Sequence, residues 1–246
     1  MKSIPNFRDL GGHAALNGKK VRKGLLCRSG NFDNLNEKDI RIFFPAGFKT
    51  IIDLRTPKES AKSRHSVNGA KKINLPIDIE QKYQNMVRPN LYKKGVQDVI
   101  LETVASIYKE LVVTQKQTIG SLFEILRTQD SYPVLIHCRA GQDRTGFICA
   151  IIHLALGVDT GDIVRDYLLS NDYTVSRVRG IALFMKLVSL GILNTTNFVP
   201  AFTAHEQYLR SVFAAISNTF GGIEKYLESC GISARHLEDF RNIVLE

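Results

Sequence analysis

The sequence predicts an α/β protein with a central, mostly parallel sheet flanked by helices. Two observations predict this class. Short apolar runs typical of buried strands alternate with segments whose apolar residues recur at helical spacing. The apolar run 132–136 is followed by a short segment containing glycine and then by a second apolar run, 147–152, which indicates a strand, a tight loop and a helix. Because ligands of such sheets bind beyond the carboxyl ends of the strands, we expect the functional site there.

The remaining elements follow from the same patterns. Helices are predicted where apolar residues recur at helical spacing, and strands where short apolar runs end at turn residues. Beside the central strand and helix, we predict strands at 21–27, 51–54 and 71–76 and helices at 36–44, 102–111 and 118–127.

Two stretches fit this scheme less well. The polar stretch 81–99 is predicted to be a mobile loop over the site. The stretch 175–199 becomes apolar after a basic start, and we expect an amphipathic helix packed on the core.

Composition limits the class of protein. A chain of 246 residues with 44% hydrophobic residues is expected to form a single globular domain, 1–246. No apolar run approaches the length of a membrane span, although peripheral membrane contact stays open, and the N-terminus lacks the apolar region of a cleaved signal. We expect a cytoplasmic protein, or one secreted into a host cell without a cleaved signal peptide.

The net charge of +9 favours an anionic substrate, since a positive field concentrates phosphate esters near a cleft. Nucleic acid is not expected as a partner, because basic residues are not interleaved with aromatic ones. Four scattered cysteines and unclustered histidines indicate neither a disulfide framework nor a metal site, so no metal or cofactor is expected. Cys149 is predicted in the core, and Cys27 could protect Cys138 by a disulfide under oxidation.

One segment places a nucleophile and a phosphate ligand in a single loop. Cys138 and Arg144 lie six positions apart, between the central strand and the following helix. The N–H groups and positive dipole end of a helix N-terminus attract an anion, and the same field favours the thiolate form of a cysteine. The Arg144 guanidinium can hold two phosphate oxygens at once. The other residues of the predicted phosphate-binding loop are Arg139, Ala140, Gly141, Gln142 and Asp143.

Neighbouring residues support this loop. Gly141 can adopt a positive φ, so that successive N–H groups point inward. We expect His137 to hydrogen-bond loop carbonyls and the Thr145 hydroxyl to hydrogen-bond the sulfur. Together these parts predict a metal-independent phosphatase in which the Cys138 thiolate attacks phosphorus. The alternative is a buried structural cysteine beside an arginine that caps a helix.

Several segments resemble the bacterial tyrosine/serine protein phosphatases of the protein tyrosine phosphatase superfamily, some of which have dual or triple specificity. The resemblance implies a protein tyrosine phosphatase-like fold and a phosphorylated protein substrate. It also permits an alternative for 175–199, a lid-like helical segment or a membrane-facing helix pair. Phosphotyrosine is then the first expectation, with phosphoserine and phosphothreonine as further substrates. The resembling segments span nearly the whole chain: the loop 137–146, Asn-Phe-Arg-Asp-Leu-Gly-Gly at 6–12, Gly-Leu-Leu-Cys-Arg-Ser-Gly at 24–30, the Asp-Leu-Arg…Glu segment at 51–59, and segments 166–171 and 208–245.

The departing oxygen of a phosphate ester needs a proton, and three carboxylates are candidates for the acid. Asp143 is preferred because it lies in the loop and because the matching aspartate of the resembling enzymes is implicated in catalysis. Asp78 comes next, in the region where larger tyrosine phosphatases carry a mobile acid loop. Asp53 is third, since a carboxylate at a strand end usually makes local hydrogen bonds.

One loop position departs from the family. The resembling enzymes usually have Lys where this chain has Gln142, and lipid phosphatases of the superfamily use basic loop residues to meet inositol-ring phosphates. Only Arg139 could do so here, which weakens the alternative of a phosphoinositide phosphatase. The alternative outside the enzymes is a catalytically silent phosphate-binding module, in which the loop recognises phosphate without hydrolysing its ester.

Overall fold

The fold is described by a computed structural model for residues 4–33, 47–61 and 69–246. These residues contain a five-stranded sheet with the order β1-β2-β5-β3-β4. All neighbouring strands run parallel except β1, which is antiparallel to β2. The predicted α/β class is therefore confirmed, with a mostly parallel sheet. The strands are β1 (Arg8–Asp9), β2 (Leu26–Ser29), β3 (Thr50–Asp53), β4 (Lys71–Asn74) and β5 (Val134–His137).

Helices flank the sheet and form most of the described chain. Short 3₁₀ and π-helical turns complete the connections between them. The helices are α1 (Pro57–Ser60), α2 (Glu80–Lys82), α3 (Gln97–Thr114), α4 (Lys116–Leu126), α5 (Asp143–Ala155), α6 (Thr160–Leu168), α7 (Asn171–Val188), α8 (Phe198–Phe202), α9 (Glu206–Phe220), α10 (Ile223–Ser229) and α11 (Ala234–Val244).

The two faces of the sheet contribute to separate apolar clusters. Successive side chains of a strand point to opposite faces, so neighbours along β5 separate. Val134 and Ile136 pack in the larger core with α3, α4 and α5, whereas Leu135 lies in a smaller cluster that includes Phe48. Nearly every residue of α5 is buried, and so is every residue of β5. Because both elements are held in the core, the positions of the two ends of the loop between them are fixed.

Most predicted elements are confirmed with shifted bounds. The strand predicted at 21–27 begins only at Leu26, because Gly24 turns the chain with a φ of 80°. Val21 instead forms an isolated antiparallel bridge with Leu245 near the chain end. The helix predicted at 36–44 lies outside the described residues.

The prediction of a loop at 81–99 is wrong for most of that stretch. After α2 the chain continues through a π-helical turn, Tyr83–Val87, and a 3₁₀ turn, Arg88–Asn90. Val87 and Leu91 are buried in the larger core and hold these turns against it. The few apolar residues of this polar stretch therefore attach it to the core. The prediction is wrong because it relies on the overall polarity of the stretch and not on these residues.

The described helices include none that is both long enough and apolar enough to span a bilayer.

Candidate active site

The carboxyl ends of three parallel strands meet at one edge of the sheet. Ser29 of β2 and Asp53 of β3 both lie opposite His137, the last residue of β5. Cys138 follows directly, and α5 begins at Asp143. The predicted order of strand, tight loop and helix is thus present, and the loop lies where ligands bind in parallel sheets.

The loop directs a backbone amide at the sulfur of Cys138. The Gly141 N–H donates to the Cys138 Sγ at 3.3 Å. Gly141 has a φ of 69°, and a Cβ atom on it would come within 2.5 Å of the backbone of Ser29 and Gly30. Glycine is therefore required here both for its conformation and for the close approach of β2.

Long-range hydrogen bonds hold the loop from behind. The carbonyl of Gly141 accepts from Asn6 Nδ2 at 2.6 Å and from Arg28 Nη2 at 2.7 Å. Asn6 Nδ2 also donates to the Ser170 hydroxyl at 3.0 Å. Asn6 Nδ2 also donates to the Ala140 carbonyl at 3.5 Å. That carbonyl shares its peptide plane with the Gly141 N–H, so the peptide units on both sides of Gly141 are held from behind.

A buried ion-pair network supports these anchors. Asp166 accepts from Arg28 Nη1 at 2.8 Å and from Arg8 Nε at 2.7 Å. Burial alone would favour the neutral carboxyl, but the two guanidinium groups outweigh it and hold the pKa of Asp166 at about 2. The N-terminal segment is thereby tied to the loop, since Arg8 and Asn6 lie two residues apart.

A carboxylate from another element orients Arg144. Glu59 of α1 accepts from Arg144 Nη1 at 2.6 Å and from Nη2 at 3.0 Å. Burial opposes ionisation of Glu59, yet the hydrogen bonds from Arg144 and Thr56 hold its pKa at about 2. This bidentate pair fixes the plane of the guanidinium. Glu59 uses two of the five N–H groups, so others remain for phosphate oxygens.

The short helix α1 positions Glu59 through its own N-terminus. The Glu59 N–H donates to Thr56 Oγ1, and its carboxylate accepts from the Thr56 N–H at 2.9 Å. This reciprocal capping box, with Pro57 at the first helical position, fixes where α1 begins after β3. The same carboxylate therefore caps a helix and holds the loop arginine.

Asp143 lies at the first residue of α5, beside a cluster of tyrosines. Its Oδ1 accepts from the Tyr108 hydroxyl at 2.7 Å, and Tyr108 and Tyr167 hydroxyls lie 2.7 Å apart. Burial raises the pKa of Asp143 and outweighs the hydrogen bonds from Tyr108 and Gln142 that favour ionisation. The environment favours a carboxyl that keeps its proton to higher pH, as a general acid requires.

Gln142 does not face solvent at the mouth of the loop. Its side chain is buried, and its Nε2 donates to Asp143 Oδ1 at 3.2 Å and to the Phe202 carbonyl at 3.4 Å. Arg139 is exposed, and its carbonyl accepts from the Asn31 N–H at 2.9 Å. Arg139 is thus the loop side chain that presents a charge outward, whereas Gln142 links the loop to α8.

The two alternative acids occupy very different surroundings. Asp53 is completely buried and accepts from Arg55 and from the Ser60 hydroxyl. Burial favours its neutral form, but these partners outweigh burial and hold the pKa of Asp53 below its usual range, which suits structure rather than proton donation. Asp78 is exposed beyond β4, and its carboxylate accepts from the Glu80 N–H at 3.0 Å, at the start of α2.

His137 and Thr145 lie at the two ends of the loop, but their side chains make fewer hydrogen bonds than predicted. Among the described residues, neither nitrogen of the His137 ring nor the Thr145 hydroxyl has a hydrogen-bond partner. The His137 ring packs 4.6 Å from the Phe32 ring, and burial lowers its pKa to about 4 despite the nearby Asp53. Burial keeps the imidazole neutral, whereas Asp53 and the backbone of Cys138 favour its protonated form.

The other buried cysteines are separate from the loop. Cys27 pairs with Leu135 in the sheet, three residues before Cys138, and both belong to the smaller cluster. At about 3.3 Å per residue this separation is too large for a disulfide without backbone movement, so the suggested protective disulfide is not supported. Burial raises the pKa of Cys27 to about 12 and of Cys149 to about 11, which keeps both as unreactive thiols.

Several residues that build the site are not recognisable from the sequence alone. Glu59 belongs to a segment that resembles the family, yet nothing local shows its pairing with Arg144, 85 positions away. The same holds for the anchors of the Gly141 carbonyl and the partner of Asp143. The residues without a sequence-based role are Asn6, Arg28, Glu59, Tyr108 and Asp166.

The family to which the sequence belongs is one of phosphatases. The sequence model of the tyrosine phosphatase family matches residues 1–246, so the chain belongs to that family. Its substrate is therefore a phosphorylated compound.

Curated relatives agree with this assignment. An inferred tyrosine-protein phosphatase of Cupriavidus necator is 27% identical over 238 residues, covering 92% of this chain and 81% of the relative. A tyrosine-protein phosphatase of Nostoc commune is 25% identical over 222 residues, covering 87% of this chain and 72% of the relative. The triple specificity protein phosphatase PtpB of Mycobacterium tuberculosis is 34% identical over 124 residues, which cover 46% of this chain and 44% of PtpB.

Proposed function

We propose that this phosphatase hydrolyses protein phosphotyrosine through a phosphocysteine intermediate on Cys138. The geometry of the loop is the observation that carries the proposal. A backbone N–H points at the Cys138 sulfur, and a guanidinium fixed by Glu59 follows on the same loop. A thiolate nucleophile and a planar, preoriented cation are the two groups that this chemistry needs.

In the first step the Cys138 thiolate attacks phosphorus, and the S–P bond forms as the P–O bond to the substrate breaks. The Arg144 guanidinium and the loop N–H groups stabilise the negative charge on the three other phosphate oxygens. The Asp143 carboxyl gives its proton to the departing oxygen, and the product leaves as the free hydroxyl compound.

In the second step water attacks phosphorus, and the S–P bond breaks to restore the Cys138 thiolate. The Asp143 carboxylate takes the proton of the attacking water, which returns it to its starting form. Inorganic phosphate then leaves the loop. Gln142 is placed to position this water, since its amide donates to Asp143 Oδ1. The cycle uses no metal ion.

The proposal of phosphotyrosine rests on the family and on the names of its relatives. Action on phosphoserine and phosphothreonine is a further proposal, supported by the partial match to a triple specificity phosphatase. Gln142 is uncharged and buried, so Arg139 is the exposed basic side chain of the loop. A single exposed cation argues against recognition of several inositol phosphates.

A substrate panel tests the proposal. Phosphate release would be measured with chelator present on a phosphotyrosine peptide, its phosphoserine counterpart and vesicles containing phosphoinositides. We expect the highest kcat/KM on the phosphotyrosine peptide. Preference for the vesicles would replace the proposal with a lipid phosphatase. Binding of phosphopeptide without any turnover would favour a silent phosphate-binding module.

The role of Asp143 predicts an effect that depends on the leaving group. Asp143→Asn is expected to lower kcat by about 10²–10³-fold on an alkyl phosphate, whose oxygen must be protonated as it departs. On an aryl phosphate with a very acidic phenol the loss should be within about tenfold, because that oxygen leaves without a proton. Steady-state kinetics on the two esters would measure both effects. Equal losses on both would contradict the assignment.

The matched control is Asp78→Asn, which removes the exposed alternative acid and should leave both rates nearly unchanged. The pH profile adds an independent readout. Asp143 acts while protonated, and its pKa is raised, so the wild-type rate on the alkyl ester should fall as pH rises through that pKa. This decline should be absent in Asp143→Asn.

A further inference from the structure

The outer side of α7 carries a set of exposed apolar side chains. Phe184 is 63% exposed and Leu187 is 65% exposed. In the turn after the helix, Leu190 and Ile192 reach 91% and 84% exposure. We call this set the α7 apolar face, and it consists of Ile181, Leu183, Phe184, Leu187, Val188, Leu190 and Ile192.

Helical geometry shows that this face is not the one that packs on the protein. The inward side of α7 buries Val178 and Ala182, which lie four residues apart. Phe184 and Leu187 lie three apart on the opposite side, where the outer surface of a helix is normally polar. The predicted helix in 175–199 is thus present, but its outer side is also apolar. Large apolar side chains that are exposed next to one another on a surface mark an interaction site.

The chain segment that carries the face is rich in basic residues. No Asp or Glu occurs from Tyr173 to His205, whereas this stretch contains Arg177, Arg179 and Lys186. The net charge of the whole chain is +9. An apolar helix face whose neighbours along the chain are basic is the pattern of a helix that lies in the surface of an anionic bilayer.

We propose that the α7 apolar face docks on an anionic lipid bilayer, with Phe184 and Leu187 inserted below the headgroups. The basic residues of α7 would then meet the lipid phosphates and carboxylates. A second copy of this chain fits less well, because a symmetric contact would place two positively charged segments in one interface. The proposal does not depend on the substrate of the phosphatase.

The helix that carries this face is linked at its start to the active-site loop. α7 begins directly after Ser170, whose hydroxyl accepts from Asn6, the residue that anchors the Gly141 carbonyl. At the same helix end, Asn171 Nδ2 donates to the Ala204 carbonyl at 2.9 Å, close in sequence to the Phe202 contact of Gln142.

A single fluorescent reporter can test insertion, because the chain contains no tryptophan. Phe184→Trp would be mixed with vesicles of phosphatidylcholine alone and of phosphatidylcholine with phosphatidylserine. We expect a blue shift with the anionic vesicles and quenching by lipids brominated on their acyl chains. Val113→Trp is the matched control, since Val113 is 58% exposed on α3, outside the face, and should show neither effect.

A co-sedimentation assay with the full chain measures the affinity of the protein for the vesicles. Wild type should bind the anionic vesicles, and a double variant Phe184→Ser/Leu187→Ser should bind at least about tenfold more weakly. Val113→Ser should bind like wild type. Added salt should weaken wild-type binding, because the basic residues are screened.

Three results would overturn the proposal. The first is no binding of wild type to anionic vesicles. The second is binding that the double variant retains, or that inorganic phosphate abolishes while sodium chloride at the same ionic strength does not, because the active-site loop would then be holding the headgroups. The third is a wild-type dimer in analytical ultracentrifugation that the double variant loses, which would assign the face to a second copy of the chain. An unchanged thermal unfolding curve, followed by circular dichroism, would show that each variant is folded.

Discussion

Cys138→Ser is expected to lower kcat by roughly 10⁴-fold or more on a phosphotyrosine peptide. Serine keeps the size and the hydrogen-bonding position of the side chain, but its hydroxyl is not ionised at neutral pH and is a far weaker nucleophile. The loop should keep its shape, because Asn6 and Arg28 hold the Gly141 carbonyl independently of the sulfur. Phosphate release and the affinity for a phosphopeptide would be measured in parallel.

Cys230→Ser is the matched control for this substitution. Cys230 is a free, partly exposed cysteine after α10, outside the loop, and its replacement should leave kcat within about twofold. Loss of turnover with phosphopeptide affinity preserved would agree with a nucleophile at Cys138. Substantial turnover by Cys138→Ser would exclude the phosphocysteine route.

Arg144→Lys is expected to lower kcat/KM by about 10³-fold with little loss of stability. Lysine keeps the positive charge near Glu59, so that carboxylate is not left without a partner. It cannot donate to Glu59 in a bidentate manner and offer further N–H groups in the same plane to phosphate. Kinetics on the phosphotyrosine peptide and a thermal unfolding curve would separate the catalytic effect from the structural one.

The loop offers a matched control in Arg139→Lys. Arg139 is exposed, so the same chemical change there should alter kcat/KM by only a few-fold. If Arg139→Lys and Arg144→Lys lost activity equally, the structural distinction between the two arginines would be wrong. A large drop in the unfolding temperature of Arg144→Lys would instead assign Arg144 mainly to the stability of the Glu59 contact.

The sequence predicts the contiguous part of the site well. Cys138, Gly141 and Arg144 lie within seven residues, and a strand before them and a helix after them are visible in the apolar pattern. Local chemistry suffices there because the groups that act together are also neighbours along the chain.

The supporting part of the site is not predictable in the same way. Asn6 and Glu59 reach the loop from 135 and 85 positions away, and their own neighbourhoods contain no sign of a partner. Only the packing of β2 and β3 on either side of β5 brings them together. The exposure of the α7 apolar face is not predictable for a related reason. Apolar periodicity indicates a helix, but it does not show which side of the helix packs against the protein.

Trapping the intermediate tests the central claim most directly. Wild type would be stopped with acid during turnover of a phosphotyrosine peptide, digested, and analysed by peptide mass spectrometry. The proposed mechanism predicts a phosphate on Cys138, and none on the corresponding peptide of Cys138→Ser. Phosphate on a different residue, or undiminished turnover by Cys138→Ser without any phosphoenzyme, would contradict it.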